Sequence, residues 1–376
     1  MHPFSQPASA KPGTAIKPPE RCPHCNSPRL TTKGSRKRKR DTVTLYKCRS
    51  CGRVFTPGPR AIRNKAFPIP EILDGITTYN LGHSAADTAR LLSTRYGHAV
   101  DPSTITRWVK QHPRLTTFSR LRDRAAKLFR PAGQIRTLKL YHRQVYAFAY
   151  HRSKLQMVRS GTLDDKRRGD TKFRSLADFL ENAHARCPHD LFRRGDGARG
   201  SELAPTFVDP DGLIIEKNNV ATDTAALIIP SVGSNHERHA KLQRFMLVND
   251  STTVAVEVPI WLDENDIEQL EATYGTELLP RAAHQQAGNQ SEGSGRLITG
   301  HIDFLQVRNG AVHILDYKPD ARTNKPIAQL TIYALALTRL VPGLRLFDIK
   351  CAWFNESSYN EFFPRTLLPH SKAGKR

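Results

Sequence analysis

Two apolar, β-rich runs stand on either side of Asn309-Gly310: Ile302 to Val307 before it and Val312 to Leu315 after it. Asn-Gly is the strongest short hairpin signal, because the tight turn that matches strand twist needs positive φ at both central residues. A chain with this stretch is committed to a sheet that holds an antiparallel pair here. Asp303 breaks the first run near its start, and Asp316 and Lys318 close the second. Asp316 and Lys318 are two apart, so both side chains leave one face of the strand. Two carboxylates and a lysine on adjacent strands form a chemical kit. Carboxylates suit a hard divalent cation, Mg²⁺ or Mn²⁺. Such an ion lowers the pKa of a water and neutralises phosphate charge, and the lysine orients that water or offsets developing charge.

The stretch resembles the catalytic core of the PD-(D/E)XK nucleases, in particular the RecB-type branch. There a Gly-x-x-Asp strand precedes an Asp-Tyr-Lys strand, here Gly300 to Asp303 and Asp316-Tyr317-Lys318, and a Gln-x-x-x-Tyr helix follows. That helix reads Ile327 to Thr338 here. Its Gln329 and Tyr333 are four apart and share a face. The resemblance implies an α/β restriction-endonuclease-like domain with a mixed sheet flanked by helices. It also implies roles: Asp303 and Asp316 hold the metal, the backbone carbonyl of Tyr317 is a further ligand, and Lys318 orients the attacking water. Gln329 and Tyr333 hold the phosphate or the lysine. Gly233 to Gln243 is similar to a family helix on which a His or Glu assists the metal. His239 fits best by its spacing to Leu242, with His236 one turn earlier. Glu257, on the polar face of the expected strand Val254 to Leu262, is another acidic candidate. Leu176 to Phe192, with Cys187-Pro188, is faintly similar to the opening of RecB-type domains. In some of those a cysteine here joins three C-terminal ones around an iron–sulfur cluster. After Asp316 only Cys351 remains, so no cluster is expected.

Cys22-Pro-His-Cys25 and Cys48-Arg-Ser-Cys51 are two C-x-x-C knuckles. Each offers two thiolates from one tight turn, and two knuckles close a tetrahedron, which points to a structural Zn²⁺ in a zinc ribbon. His24 is a weaker ligand candidate, and Phe55 is the expected core aromatic. The loop between the knuckles carries Arg36, Lys37, Arg38, Lys39 and Arg40, a run suited to phosphates.

Pro70 to Leu81, Ala85 to Tyr96 and Thr104 to Gln111 read as three helices. Ser84 caps the second, Gly97 follows it, and Ile105, Trp108 and Val109 point inward on the third. This is a helix-turn-helix pattern. Ser103 to Val109 resembles the recognition helices of transposases and their regulators, and a zinc ribbon ahead of such a module resembles the N-terminal half of insertion-sequence transposases. The resemblance implies that Ser103, Thr104, Thr106, Arg107 and Lys110 meet double-stranded DNA.

Charge agrees with a polyanion partner. Residues 1–200 carry 41 Lys and Arg against 14 Asp and Glu, whereas residues 201–376 carry 17 against 21. A basic half ahead of a near-neutral one suits a protein that holds nucleic acid with the first and handles it with the second. No run of about twenty apolar residues suggests a membrane span, and no apolar signal core opens the chain. Six cysteines, four of them in a metal pattern, suit a reducing compartment. The expectation is a cytoplasmic, nucleoid-associated protein, with a homodimer left open.

The expected organisation is multidomain: a disordered tail over 1–20, a zinc ribbon over 21–57 and an all-α helix-turn-helix over 64–112. A basic helical connector follows over 113–200, then the nuclease-like domain over 201–365 and a basic tail over 366–376. Leu138 to Val158, rich in aromatics and Arg, is compatible with helix. The expected function is metal-dependent hydrolysis of DNA phosphodiester bonds. The competing reading is a transposon-related or chromosomal DNA-binding regulator whose nuclease-like domain grips without cutting. RNA stays open as a substrate at the same site.

Overall fold

In the computed structural model of the chain, the described residues are 19–37, 42–56, 67–164, 169–194, 197–205, 207–208, 212–231, 235–279 and 296–369. The expected tails, most of the basic run and the Gly/Ser/Gln-rich insertion at 280–295 lie outside them. The chain divides into two compact units, Met1–Asp123 with Asp223–Asp250, and Arg124–Thr222 with Ser251–Arg376.

The first unit begins with a three-stranded antiparallel sheet of β1 (Leu30–Lys37), β2 (Thr42–Cys48) and β3 (Val54–Phe55), in that order. Three helices follow: α1 (Ile69–Asn80), α2 (Ala85–Tyr96) and α3 (Pro102–Gln111). Their ends are set by local chemistry. The Ser84 hydroxyl accepts the Asp87 N–H at 3.0 Å, and Gly97 ends α2 in the left-handed region at φ 71°. Asp101 accepts the Ser103 N–H at 2.8 Å, and Pro102 opens α3 with a φ already suited to helix. Ile72, Ile76, Ala89, Leu92, Ile105 and Trp108 form the core. Gly75 makes room for the indole, since a Cβ there would lie 2.7 Å from Trp108.

One expectation on α3 is corrected. Thr104 is buried, not exposed, and its hydroxyl accepts from Arg107 Nη2 at 3.1 Å. Thr104 and Trp108 are four apart, so the face that buries the indole buries the threonine. Ser103, Arg107 and Lys110 are exposed and Thr106 is half-exposed.

After α4 (Arg122–Leu128), β4 (Ile135–His142) and β5 (Gln144–His151) form an antiparallel hairpin. Aromatic and Arg content there suggested helix. The alternation Val145, Ala147, Ala149 against Tyr146, Phe148, Tyr150 is instead the period of a strand. The turn is made by Arg143 at φ 59°, with no Gly, Asn or Pro to announce it. Then come α5 (Arg152–Arg159), α6 (Arg174–Arg186), α7 (His189–Arg194), β6 (Ala198–Arg199) and β7 (Ile215–Glu216). Helix α8 (Val220–Ile228) leads into α9 (Asn235–Asn249), which belongs to the first unit. There the side chain of Asn249 bonds to Asn80 and Thr77 at 2.8 and 2.9 Å, all three buried. The second unit resumes with β8 (Thr253–Leu262), α10 (Glu264–Tyr274), β9 (Ile298–Arg308), β10 (Ala311–Tyr317), α11 (Ile327–Leu340), β11 (Ile349–Phe354) and β12 (Tyr359–Phe362).

These strands form one nine-stranded mixed sheet in the order β4-β5-β8-β9-β10-β11-β12-β7, with β6 attached to β9. The β10–β11 and β6–β9 pairs are parallel and the rest antiparallel. Asn309 and Gly310 turn the β9–β10 hairpin at φ 52° and 71°, as their types require. Helix α11 crosses over between the parallel neighbours β10 and β11, and nearly every residue from Leu330 to Leu337 is buried.

Candidate metal and active site

The four knuckle cysteines come together. Asn26 at φ 59° and Gly52 at φ 69° close the two turns in the same way, each donating its N–H to the first cysteine carbonyl of its knuckle at 2.9 Å. Cys22 Sγ lies 3.7 Å from Cys51 Sγ, and Cys25 Sγ lies 3.6 Å from Cys48 Sγ; all four sulfurs fall within 4.8 Å of one another. These spacings are too long for disulfides and match the edge of about 3.8 Å of a tetrahedron with Zn–S bonds of about 2.3 Å. The cluster is compatible with a zinc ribbon. His24 turns away to Arg53 at 3.1 Å and packs edge-on to Phe55. Arg36 and Lys37 are exposed at the end of β1; Arg38, Lys39 and Arg40 lie outside the described residues.

The acidic site stands where β9 and β10 part. The two strands pair from Arg308↔Ala311 to Phe304↔Leu315 and no further. Beyond that, β10 follows β11 to Tyr317↔Phe354. Asp303 spans the opening, its Oδ2 accepting the Tyr317 N–H at 3.2 Å. Register puts Asp303 and Asp316 on one face, since Leu305 pairs with Ile314.

Glu257 belongs to the same face. Its neighbours pair as Val256↔Phe304 and Val258↔Ile302, which sets Glu257 directly across from Asp303. A carboxylate oxygen of each lies within 4.8 Å of the other. Glu257 sits at φ 51°, a left-handed conformation that a strand residue with a side chain seldom adopts. His239 is half-buried on α9 of the first unit, and the side chain of His236 lies outside the described residues.

Asp316 is buried, and burial first, then the adjacent Asp303 carboxylate, raise its pKa well above the usual range. Lys318 Nζ pairs with Asp316 Oδ2 at 3.0 Å. Burial pulls the lysine down, but the Asp316 and Asp303 charges outweigh it, so its pKa is raised. Like charges opposed across strands are destabilising unless a proton or a cation stands between them. Asp303 has Glu257 within reach across the β8–β9 pair and Asp316 beside it, and carboxylate oxygens are the donors that suit Mg²⁺ or Mn²⁺.

Tyr333 closes the site from α11. Its pKa is raised by burial and then by Asp303 and Asp316, and it shares a side-chain hydrogen bond with Gln329. The ring lies close against the backbone of Gly300 and Gly200. A Cβ at Gly300 would stand 2.5 Å from it, and one at Gly200 2.7 Å. Gly300→Ala is therefore expected to push the ring out and destabilise the chain by about 1–3 kcal/mol, the usual cost of overpacking. Adding Tyr333→Leu should recover most of that loss, a non-additivity read by thermal unfolding of the three variants. Equal destabilisation with and without Tyr333 would show that Gly300 serves something else.

Several neighbours carried no sequence signal. On the β9 face of Asp303, His301 packs against Tyr146 with the rings tilted and 4.0 Å between centroids, and Thr299 bonds His142 at 3.0 Å. Arg199 of β6 bonds the Tyr146 hydroxyl at 2.8 Å. Trp353, the register partner of Asp316, lines a cavity of about 330 Å³ with Arg322 and Lys325 on its wall.

Comparison with models of known protein families, with curated proteins and with solved structures gives no match. Among the described residues no helix is long and apolar enough to cross a membrane.

Proposed function

We propose that the chain is a Mg²⁺- or Mn²⁺-dependent nuclease of the PD-(D/E)XK type that cuts DNA phosphodiester bonds and is held to DNA by an N-terminal zinc ribbon and helix-turn-helix. The observation that carries the reading is the buried Asp316, set against Asp303 and Lys318 where β9 and β10 part. Asp303, Asp316 and Glu257 would hold a divalent ion, which would supply an acidified water and neutralise phosphate charge. The Tyr317 carbonyl is a further ligand candidate in this reading. Lys318 holds its proton and orients the attacking water, or meets the charge that develops on the phosphate. Gln329 and Tyr333 hold Lys318 or a phosphate oxygen. Arg322 and Lys325 beside the cavity lined by Trp353 give the polyanion a second foothold.

The test is to incubate the full chain with linear and circular DNA, single- and double-stranded, and with RNA, in Mg²⁺ or Mn²⁺. Cutting that depends on Asp316 supports the reading. A chain inert on every substrate would promote the non-cutting regulator, and cutting of RNA alone would move the substrate.

The binding half has its own expected result. Arg107→Ala in the full chain should weaken sequence preference. Arg36→Ala with Lys37→Ala should weaken binding to all duplexes alike and lower the salt slope by about two phosphates. Binding isotherms at several salt concentrations decide it; an unchanged salt slope would remove the first strand from the interface.

A further inference from the structure

A second cation shares the sheet face of Asp303, on a strand too short to stand out in the sequence. Backbone bonds from Ala198 to Leu297 and from Gly200 to Thr299, both 2.9 Å, lock β6 beside the start of β9 with Arg199 in register with Thr299. Residues in register on paired strands share a face, so Arg199 leaves the sheet on the side of Thr299, His301 and Asp303. Its Nη2 is aimed by the Tyr146 hydroxyl at 2.8 Å. Its Nε is buried and meets no acceptor among the described residues. An N–H buried without an acceptor is destabilising, and that cost is recovered if an oxygen arrives from outside the chain. Nearby His142 is held neutral, pushed down to about 4 by burial first and by the Arg199 charge next, so it does not compete with the guanidinium for an anion.

The position relative to the carboxylates follows from the strand. Thr299 and Asp303 are about 13 Å apart along β9, and the Tyr146 ring whose hydroxyl Arg199 meets packs against His301, which lies between them on that face. The guanidinium is thus offset along the strand from the carboxylates, on the same face. We propose that Arg199 grips a backbone phosphate of the substrate strand adjacent to the one being cut, with Tyr146 as the residue that positions it. The planar fork of donors matches phosphate oxygens, which a lysine meets only as a point charge. The assignment rests on the nuclease reading.

The experiment uses an oligonucleotide that the wild-type chain cuts at a mapped bond, with single methylphosphonates placed in turn at each neighbouring phosphate. Wild type should lose about 10- to 100-fold in cutting when one adjacent phosphate is made neutral. Arg199→Ala should lose a similar factor on the unmodified strand and almost nothing more on that modified one. Arg199→Lys should recover part of the loss, and Tyr146→Phe should show a smaller version of it. Arg199→Ala cutting at the wild-type rate would overturn the proposal, as would equal methylphosphonate penalties in wild type and variant at every position. If Arg199→Ala does not fold, Arg199→Lys and Tyr146→Phe carry the same comparison. A wild-type chain that cuts nothing would instead overturn the nuclease reading, so the two failures are distinguishable.

Discussion

Asp316→Ala and Lys318→Ala are each expected to reduce the single-turnover cleavage rate by at least about a thousandfold while DNA affinity stays within a few-fold of wild type. The two losses differ in origin. In the proposed site, Asp316→Ala removes a metal ligand, and with it the acidified water and the charge neutralisation that a bound ion would supply. Lys318→Ala leaves the metal but removes a group that acts on the transition state more than on the ground state, so kcat falls and binding does not. Asp303→Ala should behave as Asp316→Ala does. A pH signature separates metal loss from misfolding. The Asp316 pKa is raised, by burial and then by Asp303. Its protonated form therefore contributes stability to the metal-free chain at low pH, and this is lost as pH rises through the raised value. Divalent-ion binding must displace that proton, so Mn²⁺ affinity should rise with pH over the same window. Asp316→Asn, a neutral isostere, should abolish Mn²⁺ binding and cutting, yet raise the metal-free melting temperature slightly, because repulsion with Asp303 is gone. Cleavage by Asp316→Ala within tenfold of wild type, or Mn²⁺ affinity independent of pH, would sink the assignment.

Local chemistry explains which parts of this arrangement could be read from residues. Asn309 and Gly310 demand a turn with positive φ, and the structure has one. Ser84, Gly97, Asp101 and Pro102 punctuate helices that begin and end at them. Asp303, Asp316 and Lys318 were legible because strand alternation alone puts the last two on one face, and Gln329 and Tyr333 because a helical turn does the same. What stayed hidden depends on partners distant in sequence. Arg143 turns β4 into β5 without any turn residue. The opposition of Glu257 to Asp303 depends on an irregularity between Thr253 and Ala255 that shifts β8 against β9. Arg199 acquires its place from a two-residue strand whose only warrant is the edge left open where β9 and β10 separate. Thr104 looked exposed because its inward face is defined by Trp108 and Gly75 packing together, which no single helix reveals.

Zinc removal should produce the largest structural effect. Within the described part of residues 19–56 the buried apolar side chains are Cys22, Val43 and Cys48. A three-stranded sheet with one valine for a core cannot offset the conformational entropy of its own residues. The four sulfurs must therefore supply the fold, and structural zinc in small modules contributes on the order of 10–16 kcal/mol at pH 7. We expect about one zinc per chain by metal analysis, lost in the Cys48→Ser/Cys51→Ser double variant. In that variant the amide signals of β1 and β2 should collapse toward unfolded positions. Cutting of non-specific DNA should survive within about tenfold, because none of the proposed catalytic residues is drawn from the four-cysteine module. DNA affinity should fall, and its salt slope should shrink by the phosphates that Arg36 and Lys37 contact. A metal-free wild type, or a double variant that keeps both its zinc and its folded amide spectrum, would refute the site.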